Sequence, residues 1–522
     1  MSLKPRPLGE PFRLLGRRLV FADWNYIRPA GFGWFDDEGR CVSVVGDMGP
    51  FDATFKTTAR PFGIRIKAQK AQRSGPILER KRPWEMNRVL IHTLLREGKR
   101  YRAWGSCGAK QVGNDMSAVE NLFCYLESDD GYAWKRPSLG LVDYQGNKKN
   151  NLLPSVGGTV FVDPSARPAE RYKWITLETI SRRKYDAFRE ARPDAWDPKS
   201  VRRDIVNVIF AVLGGVSPDG LRWRQLAKPL AIEHSDTQIV AYYDGTLEKY
   251  VSYTRFWPGE LDVACDPAQR GASWMAQRRS IGRAETSDFR RFPLAEPLLE
   301  PGPDMGPSDV FYANCKTTVP GAPEHHLLFP TVWDTSNDTT RVELFSSRDG
   351  KTWHRVPGSP VLETAPFGEW DGGSVFASPN LVELPDGSFV LPYSGYDVPH
   401  KYPRRQWHPQ AGYAVWPHGR LVGVEAAERG AFSTFAIVPK GRKLYINART
   451  KRAGGIRVGV QAFERQIPVP GRELDNCVPV VGDHPRMRVR WQNADDLGTK
   501  PLEPVCLSFE MDQAELFGLE FE

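Results

Sequence analysis

One short pattern recurs along this chain and constrains its fold more than any other feature. It reads Ser or Thr, any residue, Asp, Gly or Phe, two further residues, then an aromatic. It occurs as Ser128-Asp129-Asp130-Gly131-Tyr132-Ala133-Trp134, as Ser217-Pro218-Asp219-Gly220-Leu221-Arg222-Trp223 and as Ser347-Arg348-Asp349-Gly350-Lys351-Thr352-Trp353. A weaker copy is Thr286-Ser287-Asp288-Phe289-Arg290-Arg291-Phe292. Asp130, Asp219, Asp288 and Asp349 are spaced by 89, 69 and 61 residues. The physics is local: Asp bonds backbone amides two residues on, and Gly accepts the positive φ such a turn needs. The aromatic then plugs the turn against neighbouring strands, so four copies imply four similar antiparallel sheets.

A strand-like run precedes each turn: Tyr101–Trp104, Arg171–Trp174, Tyr250–Tyr253 and Leu327–Pro330. A fifth run, Gly387–Tyr393, follows without a clear turn motif. Five units of about four strands predict a five-bladed β-propeller, with a helical insertion within 177–212, where Arg, Lys, Glu and Ala crowd. Beyond about Glu425, short runs such as Phe432–Val438, Lys443–Asn447 and Ile456–Val460 predict a β-sandwich. The expected class is therefore all-β. The expected division is a strand-rich segment over 1–75, the propeller over 76–425 and the sandwich over 426–522. A length of 522 residues suits two or three domains, and 47 Gly with 43 Pro suit a turn-rich chain.

The net charge is +8, concentrated between Arg60 and Arg102, where 13 Lys/Arg face Glu79, Glu85 and Glu97. Apolar residues interleave with these charges, which reads as a solvated strand face rather than a nucleic-acid surface. No apolar run approaches a membrane span, and neither a membrane nor a nucleic-acid partner is expected. The seven cysteines are scattered without a CxxC pair, which suits buried thiols in a reducing compartment. With no apolar leader near Met1, the expected location is cytoplasmic. The histidines lack ligand spacing, so no metal and no cofactor is expected. Glycine-rich nucleotide loops and the GxSxG elbow are absent.

A propeller binds ligands where the first strands of its blades converge, so polar residues opening those strands are the candidates. They are Trp84-Glu85, Asn150-Asn151 with Asp163, the run His234 to Gln238, the run Ser308 to Tyr312, and Glu369-Trp370-Asp371. Glu85, Asp163, Asp236, Asp309 and Asp371 suggest a ring of carboxylates about one cavity. Such a ring suits glycoside hydrolysis, which pairs a proton-donating carboxylic acid with a carboxylate acting as nucleophile or base. Crowded carboxylates raise the pKa of one of their number, which makes the acid. Trp84, Tyr312 and Trp370 would stack on sugars, while Gln238, Arg283, Glu285, Glu369 and His400 would bond their hydroxyls.

The turns, the five-unit count and the trailing strands resemble the five-bladed propeller glycosidases of glycoside hydrolase families 32, 43 and 68. Pro83-Trp84-Glu85, Tyr101–Trp104, Glu127 to Gly140 and Gly368–Asp371 resemble family-32-like bacterial proteins. The family's catalytic motifs are not intact: Trp24-Asn25 is followed by Tyr26, and Cys265-Asp266-Pro267 lacks the Arg. The resemblance implies that the acids come from successive blades. Asp236 is then the expected nucleophile or base, Glu85 the acid, and Asp309 or Asp371 a pKa tuner. The implied partner is an oligo- or polysaccharide, cleaved by an exo-acting enzyme on a furanoside or decorated plant or microbial glycan. Rival readings are a non-catalytic glycan-binding propeller, a sialidase-like enzyme using Arg283 and Tyr312, and a polysaccharide lyase using Tyr396 and His400.

Overall fold

The computed structural model describes residues 10–29, 34–35, 41–43, 61–109, 121–154, 158–197, 201–202, 208–233, 235, 237–257, 278–401, 408–463 and 467–522. The chain is nearly all-β, in several antiparallel sheets. The first sheet holds Arg88–Glu97, Arg100–Gly108, Leu122–Ser128 and Leu152–Leu153. The second holds Thr159–Val162, Tyr172–Ile180 and Val208–Ser217, the last flanked by Val201–Arg202 and Arg224–Gln225. Val240–Asp244, Lys249–Phe256, Ser280–Thr286 and Glu296–Leu299 make the third.

The next unit is split. Asp309–Ala313, Thr331–Asp334, Thr339–Val342 and Leu362–Glu363 form one four-stranded sheet. Lys316–Val319, Ala322–Leu328, Phe345–Ser347 and His354–Arg355 form another on the same run of chain. The ladder breaks at 314–315, 329–330 and 343–344, so one four-stranded meander is read as two halves. The fifth sheet holds Ser374–Ala377, Phe389–Tyr396 and Gln410–Trp416, and its outermost strand, Gln72–Pro76, comes from far earlier in the chain.

The repeated turn forms as its chemistry dictates. Asp130 Oδ1 accepts from the amides of Tyr132 and Ala133, and Ser128 Oγ accepts from Gly131, which sits at φ 85°. Asp219 and Asp349 repeat these bonds, with Gly220 and Gly350 also at positive φ. In the weaker copy Asp288 N donates to Thr286 Oγ1, its Oδ1 accepts from Arg290 N and its carbonyl accepts from Arg291 N. Each glycine turn also ties its sheet to a neighbour. Trp104 Nε1 donates to Gly220 O, Tyr253 Oη to Gly350 O and Tyr413 Oη to Gly131 O, at 2.7–2.8 Å. These bonds link the first sheet to the second, the third to the fourth unit, and the fifth back to the first.

The first strands are linked too. Val160 N donates to Thr93 Oγ1, Thr159 Oγ1 to Ile239 O, and Asn314 Nδ2 to Gln238 O. Leu381 N donates to Thr317 Oγ1, and Leu94 N donates to Pro379 O, which returns the circuit to the first sheet. Between the second sheet's long strands runs the expected helix, Arg182–Ala191. It is capped by Ser181 and buries Tyr185 and Phe188.

The C-terminal strands Val422–Ser433, Leu444–Ala462 and Val505–Phe521 are longer than the expected short strands. They join Ile437–Val438, Asp483–Arg488, Phe12–Arg13, Arg18–Leu19 and Arg65–Ala68 in one eight-stranded sheet, where two stacked sheets were expected. The long strands pass their ladders through irregularities at 426–429 and 450–455 instead of ending there. Alternating residues such as Ile446, Ile456, Val458, Leu507, Phe509 and Leu519 build a core of their own. The basic stretch between Arg60 and Arg102 is knitted into this frame: Arg65 pairs with Glu425, Lys70 with Glu363 and Arg102 with Glu97. The five cysteines resolved in burial, Cys107, Cys124, Cys315, Cys477 and Cys506, are free and buried.

Candidate functional site

The four described acidic positions, Glu85, Asp163, Asp309 and Asp371, do not meet about one cavity. Glu85 is fully buried in a 3-10 turn, Pro83–Glu85, ahead of the first strand. Its Oε1 accepts from Arg136 Nε at 2.6 Å and its Oε2 from Lys81 N. Trp84 donates its indole N–H to Asn151, whose neighbour Asn150 opens the last strand of the first sheet rather than a new inner strand. Asp163 ends its strand instead of opening it, and it accepts from Lys173 Nζ at 2.5 Å and from Tyr250 Oη at 2.7 Å. Burial works to raise its pKa, yet the hydrogen bonds from Lys173, Ser165 and Tyr250 hold it below the usual aspartate value.

Asp309 is clasped by both terminal nitrogens of Arg341, and these bonds outweigh burial and keep its carboxyl low. Asp371 accepts from Tyr393 Oη at 2.7 Å and faces Arg73 at 3.3 Å. Trp370 stacks on Tyr393 and fills the space over Gly395 and Gly412, while Glu369 is exposed. Arg283 and Glu285 pair with each other in an outer groove beside Lys249 and Lys351, and the Arg283 bond brings Glu285 down to about 2. Asp236 lies outside the described residues.

A cleft of about 390 Å³ opens instead at the N-terminal ends of the first strands. Arg88, Leu90, His92 and Ser106 line it from the first sheet, Gly158, Thr159, Ile175 and Thr176 from the second, Thr237 and Gln238 from the third, and Tyr396 from the fifth. Gln238 is thus placed where the sequence put it, but both ends of its amide are engaged. It accepts from Cys315 N and donates to Ala377 O. Among the described lining residues there is no carboxylate. Thr237 Oγ1 is buried without a partner among the described residues.

Three residues that the sequence reading missed stand out. His92 Nε2 lies 2.8 Å from Ser106 Oγ. The strand register explains why His92 points there. Ile91 pairs with Gly105 and Thr93 with Trp104, so His92 is the extra residue of a β-bulge, a device that re-aims a side chain. Burial, then Arg88, push the imidazole down to about 4, so it is neutral at neutral pH. The third is Glu178, two residues beyond Thr176 on the same face of Tyr172–Ile180, with its carboxyl raised by burial. No sequence signal announced the bulge.

An aromatic wall continues from Tyr396. Phe376 packs against Tyr396 and Tyr312, and His400 packs edge-on against Tyr312 at 4.5 Å and against Trp333. The Arg279 guanidinium lies about 5 Å over the rings of Trp257, Tyr312 and Trp333. Tyr312 and His400, far apart in sequence, are therefore brought together. Among the described residues no cluster of three or more His, Cys, Asp or Glu is placed to hold a metal ion.

No family model matches the sequence. No curated protein matches it either. Solved structures of similar shape include a glycoside hydrolase at 11% identity and TM-score 0.40, covering 67% of this chain and 92% of the other. A thermostable family-43 glycoside hydrolase is 12% identical at TM-score 0.36, covering 63% and 88%. A family-43 arabinoxylan arabinofuranohydrolase from Bacillus subtilis, in complex with cellotetraose, is 9% identical at TM-score 0.36, covering 86% and 99%.

Proposed function

We propose that this chain is a carbohydrate-active five-bladed β-propeller that hydrolyses a glycosidic bond in the cleft at the N-terminal ends of its first strands. Residues 76–425 form the propeller and 426–522 the second domain, with 1–75 contributing strands to both. The circuit of hydrogen bonds from sheet to sheet supports the propeller reading. The observation that carries the site is the convergence of residues from the first, second, third and fifth sheets on one cleft, of a volume that suits a small ligand. The aromatic wall of Tyr396, Phe376 and Tyr312 offers ring faces and edges for sugar packing.

For the chemistry, Asp236 is the nucleophile or base, being next in sequence to the cleft residue Thr237. Glu178 takes the acid's role in place of Glu85: it lies two residues beyond the cleft residue Thr176 on the same strand face and burial raises its carboxyl, whereas both Glu85 oxygens are bonded. The substrate class is a furanoside or decorated plant or microbial glycan. The test is turnover of aryl furanosides, pyranosides and plant polysaccharides by the wild type, Asp236→Asn, Glu178→Gln and Glu85→Gln. Loss in the first two variants with thermal melting unchanged supports the assignment. Turnover surviving both refutes it. A second reading, glycan binding without cleavage, is favoured by the lack of a carboxylate among the described lining residues. It predicts binding by calorimetry with no product on any member of the panel.

A further inference from the structure

We propose that Ser106 and His92 form a nucleophile–base pair, and that the cleft removes O-acyl groups from a sugar by acyl transfer. The argument starts from geometry. A serine hydroxyl is a weak nucleophile unless a base within about 2.6–3.2 Å takes its proton. Ser106 Oγ and His92 Nε2 stand at 2.8 Å, and both residues line the cleft. With its proton on Nδ1, the neutral imidazole presents Nε2 as the acceptor.

The backbone has been bent to make this contact. His92 is the unpaired residue of the bulge, and the bulge draws the strands so close that a Cβ on Gly105 would lie 1.7 Å from Leu90 O. Ser106 and His92 stand on neighbouring strands of the first sheet. This pair joins adjacent strands that are already hydrogen-bonded along their length, so it adds little to the frame and faces open volume. Two hydrogen-bond donors line the same cleft. Arg88 lines the same cleft and donates through Nη2 to Asn121 Oδ1 at 3.0 Å. That bond fixes the Asn121 amide, leaving its Nδ2 protons as donors. A guanidinium and an amide beside the base are the groups that stabilise a tetrahedral oxyanion.

The steps balance with water as the only co-reactant. Ser106 Oγ bonds to the ester carbonyl carbon while its proton passes to His92 Nε2. The oxyanion then collapses, the bond between the acyl carbon and the sugar oxygen breaks, and the His92 proton goes to that oxygen. Water next adds to the acyl-serine, giving its proton to His92, and the carboxylic acid leaves as Ser106 regains its hydrogen. The step requires an acyl ester, not a glycosidic bond, so it stands or falls apart from the glycosidase reading.

The experiment uses the full chain with 4-nitrophenyl acetate and acetylated xylan, reading nitrophenolate and acetate release, together with a fluorophosphonate probe and peptide mass mapping. The expected result is turnover of both esters, with covalent labelling confined to Ser106. Ser106→Ala and His92→Gln are expected to lose roughly 10²–10⁴-fold of that turnover, and His92→Gln to lose the label. Absence of ester turnover in the wild type, or label on another residue, overturns the proposal. So does turnover that survives Ser106→Ala. The wild-type labelling decides the matter even where a variant fails to fold. A null result on the glycoside panel has no bearing on it, because the two products are measured separately.

Discussion

The buried ion pairs of the sheets and the cleft at the sheets' ends treat polar groups in opposite ways. In the pairs each charge is answered: Lys173 has Asp163 and the Glu170 carbonyl, and Asp163 has Lys173, Tyr250 and Ser165. Glu343 is shared by Arg341 and Arg355. In the cleft, groups are held with capacity to spare, as with Thr237 and the Asn121 amide. The lesson is that acidity alone is a poor guide to chemistry in a chain of this kind. Desolvating a carboxylate costs several kcal/mol, so its state depends on the partner that packing supplies, Lys173 for Asp163 and Arg341 for Asp309, and not on its place in the sequence.

The sharpest way to break this contrast is to unpair a buried charge. Lys173→Met leaves Asp163 buried without its counter-ion and is expected to cost about 3–5 kcal/mol, read as a lower urea midpoint. Ser106→Ala is the matching change in the cleft and is expected to cost about 1 kcal/mol. A cleft variant as damaging as the Lys173 variant would erase the distinction. Next in size is Gly105→Ala, whose methyl group would force Leu90 O aside. About 1–3 kcal/mol is expected from such overpacking, together with loss of the bulge and of whatever turnover His92 supports. Ser217→Ala removes the hydroxyl that accepts from Gly220 and donates to Asp219, for about 1 kcal/mol in thermal melting.

The smallest and most selective effect is that of pH. The folded-state pKa of Asp163 lies below its unfolded value. Its stabilising contribution is therefore complete above about pH 3.9 and is lost as pH falls through the folded value. Lys173→Met would remove the bond from lysine that holds the carboxyl low, so its stability should fall less steeply in acid than that of the wild type. Parallel acid melting curves for the two proteins would show that Asp163 is not a linkage site.

Much of the frame was legible in the sequence because its signals are local. The Ser-x-Asp-Gly turn is written in seven adjacent residues, and its hydrogen bonds close within them. The helix after Ile180 was legible for the same reason. The site was not, because the fate of Glu85 depends on Arg136 and that of Asp309 on Arg341, partners chosen by tertiary packing. Gln238 lies in the cleft because it precedes an inner strand. His92 was missed because its orientation comes from one extra residue in a ladder, and register is a property of two strands, not of one. The C-terminal strands proved longer than expected because they pass through their own irregularities.

The outermost strand of the fifth sheet has a consequence for synthesis. Pro76 pairs with Gly412, 336 residues later. At about 5–20 residues per second, the ribosome takes tens of seconds to supply that partner. Throughout this interval Gln72–Pro76 is an edge without a sheet, and the first and fifth sheets cannot be latched together. Its sequence suits the wait: Gln, Arg, Ser, Gly and Pro make a polar, proline-ended strand that other nascent edges have little reason to join. The last act of assembly is therefore performed by one of the first segments made.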